Sequence, residues 1–478
     1  MAGKLWRSAE AGRLFRWISV VPSGKSRFQF RRIVLHKRAK SQPFKRHAEP
    51  CGRSESVSGL VITAVLAPES HPMTTDSMNP LLETLQAYPF ERLRALLAGT
   101  TPPAKEPIDF SIGEPRHPAP AIISEAIIEH LHGLAEYPKV LGDLRLRRAI
   151  ADWATRRFAL PAGFLDPELH IIPANGSREA LFSIAQAVLP PCQTPKPLVL
   201  LPNPFYQIYE GAALLAGAEP YYLNCDASGQ PNFFAVEESV WTRCALLYIN
   251  SPHNPTGATL SLGTLSWLIR KARQHGFVLA ADECYSELYP EGQAPAGILE
   301  AAATTGSLAQ VLAFHSLSKR SSVPGARSGF VAGDADILKA FVRYRTYLGA
   351  ATPPFIQAAA IAAWQDEQHV QHTRADYARK FSAAHDILGA RLPIETPAGG
   401  FYLWPRVGDG EAFVRALYGA EHVRCLPGAY LARDAHGVHP GQDRVRIALV
   451  GSLEDCVDGL QRMRRFMEQH PISTINNY

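Results

Sequence analysis

The stretch Phe314-His315-Ser316-Leu317-Ser318-Lys319, followed by Gly325-Ala326-Arg327-Ser328-Gly329, decides how this 478-residue chain is read. The apolar run Val311 to Phe314 has strand length, and an amine flanked by two hydroxyls stands where that run ends. A guanidinium follows eight residues later. An amine able to condense with a carbonyl, beside hydroxyls and an arginine able to clamp an anion, is what a phosphorylated carbonyl cofactor requires. A lone lysine after a strand is more often a solvated loop residue, so the weight rests on the rest of the chain.

Outward from this run, strand-like and helix-like segments alternate from about residue 108, the pattern of a mainly parallel sheet covered by helices. Apolar runs occur at Leu169-His170-Ile171-Ile172, Leu198-Val199-Leu200-Leu201, Ala245 to Ile249, Phe277 to Ala281 and Val311 to Phe314. Between Leu144 and Phe158, Leu144, Leu146, Ile150 and Trp153 keep helical spacing. Each apolar run ends in a polar, turn-forming cluster, and ligands of such sheets gather at the carboxyl ends of strands.

Asn175-Gly176-Ser177-Arg178-Glu179 precedes the apolar helix Ala180 to Val188. Gly176 permits close backbone approach, Ser177 can cap the helix, and the free first-turn N–H groups favour an anion, although an ordinary cap looks the same. In Pro202-Asn203-Pro204-Phe205-Tyr206, Tyr206 can offer a face to a planar ring or simply pack in the core. Asn250-Ser251-Pro252-His253-Asn254-Pro255-Thr256-Gly257 is stiffened by two prolines and presents Asn254. In Ala280-Ala281-Asp282-Glu283-Cys284-Tyr285 an acid follows a buried-type strand, which is costly unless it meets a cation. A protonated pyridine nitrogen is such a cation; a cap or a salt bridge is the competing account.

Composition narrows the class. With 46% apolar and 19% charged residues the chain reads as soluble and globular, and its apolar runs are too short to span a membrane. Seven scattered cysteines without a C-x-x-C pair favour free thiols over disulfides or a zinc site, and no metal is expected. The net charge of +5 is unevenly held: residues 1–77 carry 14 Lys and Arg against 5 Asp and Glu, the rest 35 against 39. This basic, aperiodic extension reads as disordered. A transit peptide, a nucleic-acid-binding tail, or an upstream stretch before a start at Met78 would each account for it. The last is favoured, since Asn79-Pro80-Leu81-Leu82-Glu83-Thr84-Leu85 reads as the start of a compact fold and no aromatic-interleaved basic platform precedes it.

In this order and context the set Gly176-Ser177-Arg178, Tyr206, Asn254, Asp282, Tyr285, Lys319 and Arg327 resembles the fold-type I pyridoxal-phosphate enzymes, specifically the class I/II aminotransferases, from about Pro80 to Met467. The resemblance implies an α/β fold with a mainly parallel seven-stranded sheet in a large domain, residues 122–375. It also implies that 78–121 forms an N-terminal arm and part of a smaller α+β domain, whose C-terminal part is 376–478. Lys319 would carry pyridoxal 5'-phosphate and serve as general base and acid, with Asp282 pairing the pyridine nitrogen. Asn254 and Tyr285 would bond the ring oxygen and Tyr206 would stack on the ring. Gly176, Ser177, Arg178, Ser316, Ser318 and Arg327 would hold the phosphate. Tyr137 would reach the phosphate site of a second subunit, making a homodimer with shared active sites. Arg446 would grip the substrate carboxylate, with Arg444 two residues away as a rival, and Gly113 would close over the carboxylate.

The segments Met78 to Leu93 and Asp109 to His117 are similar to the N-succinyl-L,L-diaminopimelate aminotransferases of lysine biosynthesis, which work with glutamate and 2-oxoglutarate. Such a substrate needs further cations, for which Lys139, Arg343, Arg345 and Arg424 are candidates. The partners expected are therefore a small amino donor and a 2-oxo acid, in the cytoplasm, with neither nucleic acid nor membrane. An aminotransferase of aspartate, alanine, kynurenine or acetylornithine type, a pyridoxal-phosphate C–S lyase or decarboxylase, and an aminotransferase-like DNA-binding regulator are the alternatives.

Overall fold

A computed structural model of the chain describes residues 79–470; the basic extension 1–77 lies outside the described residues. Twelve strands are present among the described residues. They are β1 (Ile108–Asp109), β2 (Ile171–Ala174), β3 (Leu198–Asn203), β4 (Glu219–Asn224), β5 (Cys244–Asn250) and β6 (Val278–Asp282). After them come β7 (Val311–Ser316), β8 (Gly329–Gly333), β9 (Tyr402–Leu403), β10 (Val423–Arg424), β11 (Leu426–Pro427) and β12 (Val445–Ala448).

Seven of these form the central sheet, in the order β2-β8-β7-β6-β5-β3-β4. β8 runs antiparallel to both neighbours, and the remaining pairs are parallel. The mainly parallel seven-stranded sheet expected from the sequence is therefore the architecture observed. Burial on both faces explains the unbroken apolar runs. Leu247, Ile249, Leu279, Ala281, Val311 and Ala313 face one core, whereas Leu246, Tyr248, Val278, Ala280, Leu312 and Phe314 face the other. The helices over these faces have definite ends. Leu262–His275 is capped by Ser261, whose Oγ accepts from the Thr264 N–H, and ends at Gly276 with φ +77°.

Two local expectations shift. The first sheet strand begins at Ile171 rather than Leu169, because Leu169 and His170 close a turn onto Asp166. The next helix starts at Ser177, with Gly176 at the N-cap, so Ser177 is the first helical residue and not the cap. Gly176 has φ +79°, a conformation that residues with a Cβ rarely adopt.

A second core gathers residues from Leu93 to Phe110 and from Tyr377 to Met467. It holds the antiparallel sheet β11-β12-β9 and the parallel pair β1-β10. The helices Gly410–Glu421 and Leu453–Gln469 pack there. The helix Gln368–Leu388 runs unbroken across position 376 and carries the chain into this core.

Candidate active site

The carboxyl ends of the adjacent strands β5, β6 and β7 deliver Asn250, Asp282 and Ser316 to one edge of the sheet, with Asn250 and Asp282 in register. They border a cavity of about 490 Å³. At its floor Asp282 is buried, accepting the Tyr209 hydroxyl at Oδ2 (2.6 Å) and the Cys284 N–H at Oδ1 (3.2 Å). Burial pushes its carboxyl upward, while those hydrogen bonds oppose the shift. No cation lies within ion-pair distance of it among the described residues. An acid in that position needs a positive partner from elsewhere.

Beyond β5 the loop turns tightly. The Asn254 N–H donates to Asn250 Oδ1 (2.7 Å), and His253 is wedged between Thr256 Oγ1 and the Pro204 carbonyl. Burial lowers the His253 pKa to about 4, so the imidazole is a neutral brace. The loop aims Asn254 at Arg446 of β12, whose Nη1 donates to Asn254 Oδ1 (3.0 Å) and whose Nη2 donates to the Ser111 carbonyl (2.7 Å). Arg446 is 4% exposed, its Nε has no acceptor, and its guanidinium lies 4.5 Å over the Tyr402 ring. Arg444, the rival two residues earlier, donates to the Trp404 carbonyl (2.6 Å) and borders a different hollow of about 680 Å³, beyond Tyr402.

Lys319 lies in the single helical turn Leu317–Arg320 that starts as β7 ends, where Ser316 Oγ accepts the Ser318 N–H (3.1 Å). Its amine donates to the Gly113 carbonyl. Burial lowers its pKa to about 8, so the amine sheds its proton just above neutrality, well below the range of an exposed lysine. The Gly113 loop needs its glycine because a Cβ there would strike the Tyr402 hydroxyl. Tyr402 and Tyr285 share a hydrogen bond through their hydroxyls (3.0 Å).

The third corner is the start of helix Ser177–Val188, whose first N–H groups have no intrahelical acceptor. Arg327 is folded against it with φ +50°, donating to the Pro324 and Asn175 carbonyls (3.1 and 3.2 Å). A Cβ at Gly176 would collide with this guanidinium. Arg178 Nε donates to the Tyr206 hydroxyl (2.6 Å), and its Nη2 reaches the Tyr88 hydroxyl (3.5 Å).

The sequence-predicted residues Gly113, Ser177, Arg178, Tyr206, Asn254, Asp282, Tyr285, Ser316, Ser318, Lys319, Arg327 and Arg446 all line this one cavity. Gly176 stands just behind it, and Tyr137 is fully exposed and away from it. The proposed distal cations fare differently. Arg345 is corrected: it is wholly buried and held by both Glu179 oxygens (3.2 Å each) and the Pro173 carbonyl (2.6 Å). Lys139 and Arg343 are exposed, Arg424 lies 4.0 Å from Asp109, and none of the three borders the cavity.

Tyr88, Glu114, Tyr209 and Tyr402 also belong to the site and were not singled out by the sequence reading. Tyr209 lies one helical turn past Tyr206, a spacing that could have revealed it. Tyr402 comes from a segment more than a hundred residues after Tyr285 and carries no local signal.

The chain matches the family model "Aminotransferase class I and II" over residues 105–462. It is 31% identical over 395 residues to an LL-diaminopimelate aminotransferase of Desulforudis audaxviator, covering 80% of this chain and 96% of that protein. It is 29% identical to one of Dehalococcoides mccartyi, covering 81% and 98%. Among solved structures it resembles an aminotransferase of Neisseria meningitidis, at 45% identity and TM-score 0.78, over 81% of this chain and 99% of that one. It also resembles a probable N-succinyldiaminopimelate aminotransferase of Thermus thermophilus, at 27% identity and TM-score 0.70, over 79% and 100%. The cavity's residues and these likenesses agree, and the chain belongs to the class I and II aminotransferases.

Proposed function

We propose that this aminotransferase moves an amino group between glutamate and N-succinyl-2-amino-6-oxopimelate, on the diaminopimelate route to lysine. Class I and II aminotransferases depend on pyridoxal 5'-phosphate, and the cavity's residues fit that group. Among the described residues Asp282 is a buried acid without a cation and Lys319 an amine without a carboxylate, and the turn at Gly176 with Arg327 is an anion cradle. Asp282 would hold the ring-nitrogen proton, Asn254 and Tyr285 the ring oxygen, and Tyr206 one ring face. Ser177 and Arg178 through first-turn N–H groups, with Ser316, Ser318 and Arg327, would hold the phosphate. When bound, the cofactor supplies an electron sink for the substrate's α-carbon.

The chain's own groups do the rest. Arg446 offers a guanidinium to the α-carboxylate, exchanging the Ser111 carbonyl for a charged acceptor. Gly113, where a Cβ would strike the Tyr402 hydroxyl, would let its loop close over that carboxylate. With the cofactor bound, Lys319 Nζ would serve as the base for the donor's α-proton and as the acid that gives a proton back, a task suited to an amine whose pKa burial lowers to about 8. The observation that carries this reading is the convergence of Lys319, Asp282 and Arg446, drawn from three distant segments, on one cavity.

The substrate reading rests on the segments Met78–Leu93 and Asp109–His117, and the Thermus likeness supports it. A second reading, L,L-diaminopimelate itself, is favoured by the named relatives and by Glu114, a carboxylate in the cavity wall able to receive a distal ammonium. We further propose a cytoplasmic homodimer in which Tyr137 serves the neighbouring site. Tyr137 stands fully exposed, with Ile128, Leu131, Leu134 and Leu141 exposed on the same stretch. No helix among the described residues is long and apolar enough to cross a membrane.

Both readings meet one test, a screen of donors against 2-oxoglutarate. N-succinyl-L,L-diaminopimelate is expected to exceed L,L-diaminopimelate, aspartate and alanine in kcat/KM. A lead for L,L-diaminopimelate would establish the second reading, and a lead for aspartate or alanine would remove both. Lys319→Ala should lose at least about 10³-fold in turnover; wild-type turnover in that variant would overturn the mechanism.

A further inference from the structure

Ser177 and Ser316 both line the cavity, and their hydroxyls are differently committed. Ser316 Oγ accepts the Ser318 N–H (3.1 Å) and turns its own hydrogen back to the Ser328 carbonyl (3.4 Å). Ser177 Oγ instead receives the thiol of Cys284, whose Sγ lies 2.9 Å away. That is its one side-chain hydrogen bond among the described residues, so the Ser177 hydrogen has no acceptor there.

Cys284 also borders the cavity and is 8% exposed, two residues past Asp282 and one before Tyr285. A thiol carries a single hydrogen. Both Asp282 oxygens are already engaged, Oδ2 by the Tyr209 hydroxyl (2.6 Å) and Oδ1 by the Cys284 N–H (3.2 Å), which leaves Ser177 Oγ as the acceptor for the thiol. Burial, and after it the Asp282 carboxylate, push the thiol well above its ordinary range. It therefore stays protonated and remains a donor. A hydroxyl oxygen that accepts on one side directs its own hydrogen to another. For Ser177 the open side is the cavity, where the first N–H groups of its helix also lack intrahelical acceptors.

We infer that Cys284 is a positioning residue for the cofactor's phosphate: its thiol donates to Ser177 Oγ and so turns the Ser177 hydrogen into the cavity, toward the anion at the Gly176 turn. This deepens the proposed phosphate cradle and rests on it. Cys284 acts through Ser177 and does not itself meet the anion. Without a donor at position 284, the Ser177 hydroxyl is free to rotate away from the cavity.

The test titrates the cofactor-free full chain with pyridoxal 5'-phosphate and with pyridoxal, which lacks the phosphate, and follows binding by fluorescence. Wild type, Cys284→Ala, Cys284→Ser, Ser177→Ala and the Cys284→Ala/Ser177→Ala double variant are compared. Cys284→Ala should raise the dissociation constant of pyridoxal 5'-phosphate about 3–10-fold, the range for one hydrogen bond, and that of pyridoxal by less than about twofold. Cys284→Ser keeps a hydroxyl donor and should restore most of the affinity. In the Ser177→Ala background, Cys284→Ala should add less than about a twofold effect. An unchanged or tighter affinity in Cys284→Ala, an equal loss for both compounds, or an undiminished loss in the Ser177→Ala background would overturn the inference. A wild type that binds both compounds equally would remove the phosphate cradle itself, and the inference with it.

Discussion

Arg345 and Arg446 are both buried arginines, yet the regions around them are built on opposite principles. Under the sheet, Arg345 is wholly enclosed and carries its counter-ion with it, gripping both oxygens of Glu179 and the Pro173 carbonyl. At the cavity, Arg446 is almost as enclosed but meets only neutral acceptors, Asn254 Oδ1 and the Ser111 carbonyl, with Nε unpartnered. Burying a charge is costly, and a paired site recovers much of that cost internally. A site left unpaired recovers it only when an anionic ligand arrives. The missing counter-ion therefore distinguishes the arginine proposed to bind substrate from the structural one.

Substitution at each position separates the two designs. Arg446→Met should lower kcat/KM by about 10²–10³-fold, the range for removing one partner of a buried charged contact. Its folding stability, read from urea unfolding of the cofactor-free protein, should move by no more than about 1 kcal/mol, because no partner charge is stranded. Arg345→Met should do the reverse. It leaves Glu179 without its cation and should cost about 3 kcal/mol of stability, while changing kcat/KM by less than about tenfold. Equal losses of stability in the two variants would break the comparison.

Lys319 sharpens it on a smaller scale, being another cation of the cavity without a carboxylate partner among the described residues. Its pKa of about 8 in the fold lies below the ordinary lysine value of 10.5. Below pH 8 both folded and unfolded chains hold the proton, and the buried charge opposes folding. Between about 8 and 10.5 the folded protein sheds the proton while the unfolded chain keeps it, so stability rises with pH. Relative to Lys319→Met, the cofactor-free wild type should gain about 1–3 kcal/mol across that window. A difference that stays flat across it would show that the amine is not desolvated.

Much of the sheet and of the cavity floor could be read from the chain. Asn254, Asp282 and Lys319 each follow an apolar run and fall among prolines, glycines or hydroxyls that break it. A parallel sheet buried on both faces must bring such ends to one edge. The weaker signals have physical causes too. β4 lies at the sheet edge with most of its residues only partly buried, and β8 is a five-residue strand with a glycine at each end. Arg345 misled because its partner Glu179 is 166 residues away in sequence. Arg178 was placed at the phosphate by its neighbours in sequence, whereas its fork is directed by Tyr88 and Tyr206, which belong to other segments.

By itself the sequence determined the periodic burial that makes the sheet, the breaks that end its strands, and the reactive groups set at those breaks. These are properties of short segments, fixed by hydrophobicity and backbone preference. Only the tertiary structure decided which charges are satisfied. Arg345 meets Glu179, Asp282 meets Tyr209, and Arg178, Lys319 and Arg446 are left without an acid among the described residues. Pairing is a matter of distance in space, and so is the cavity that those unpaired charges define.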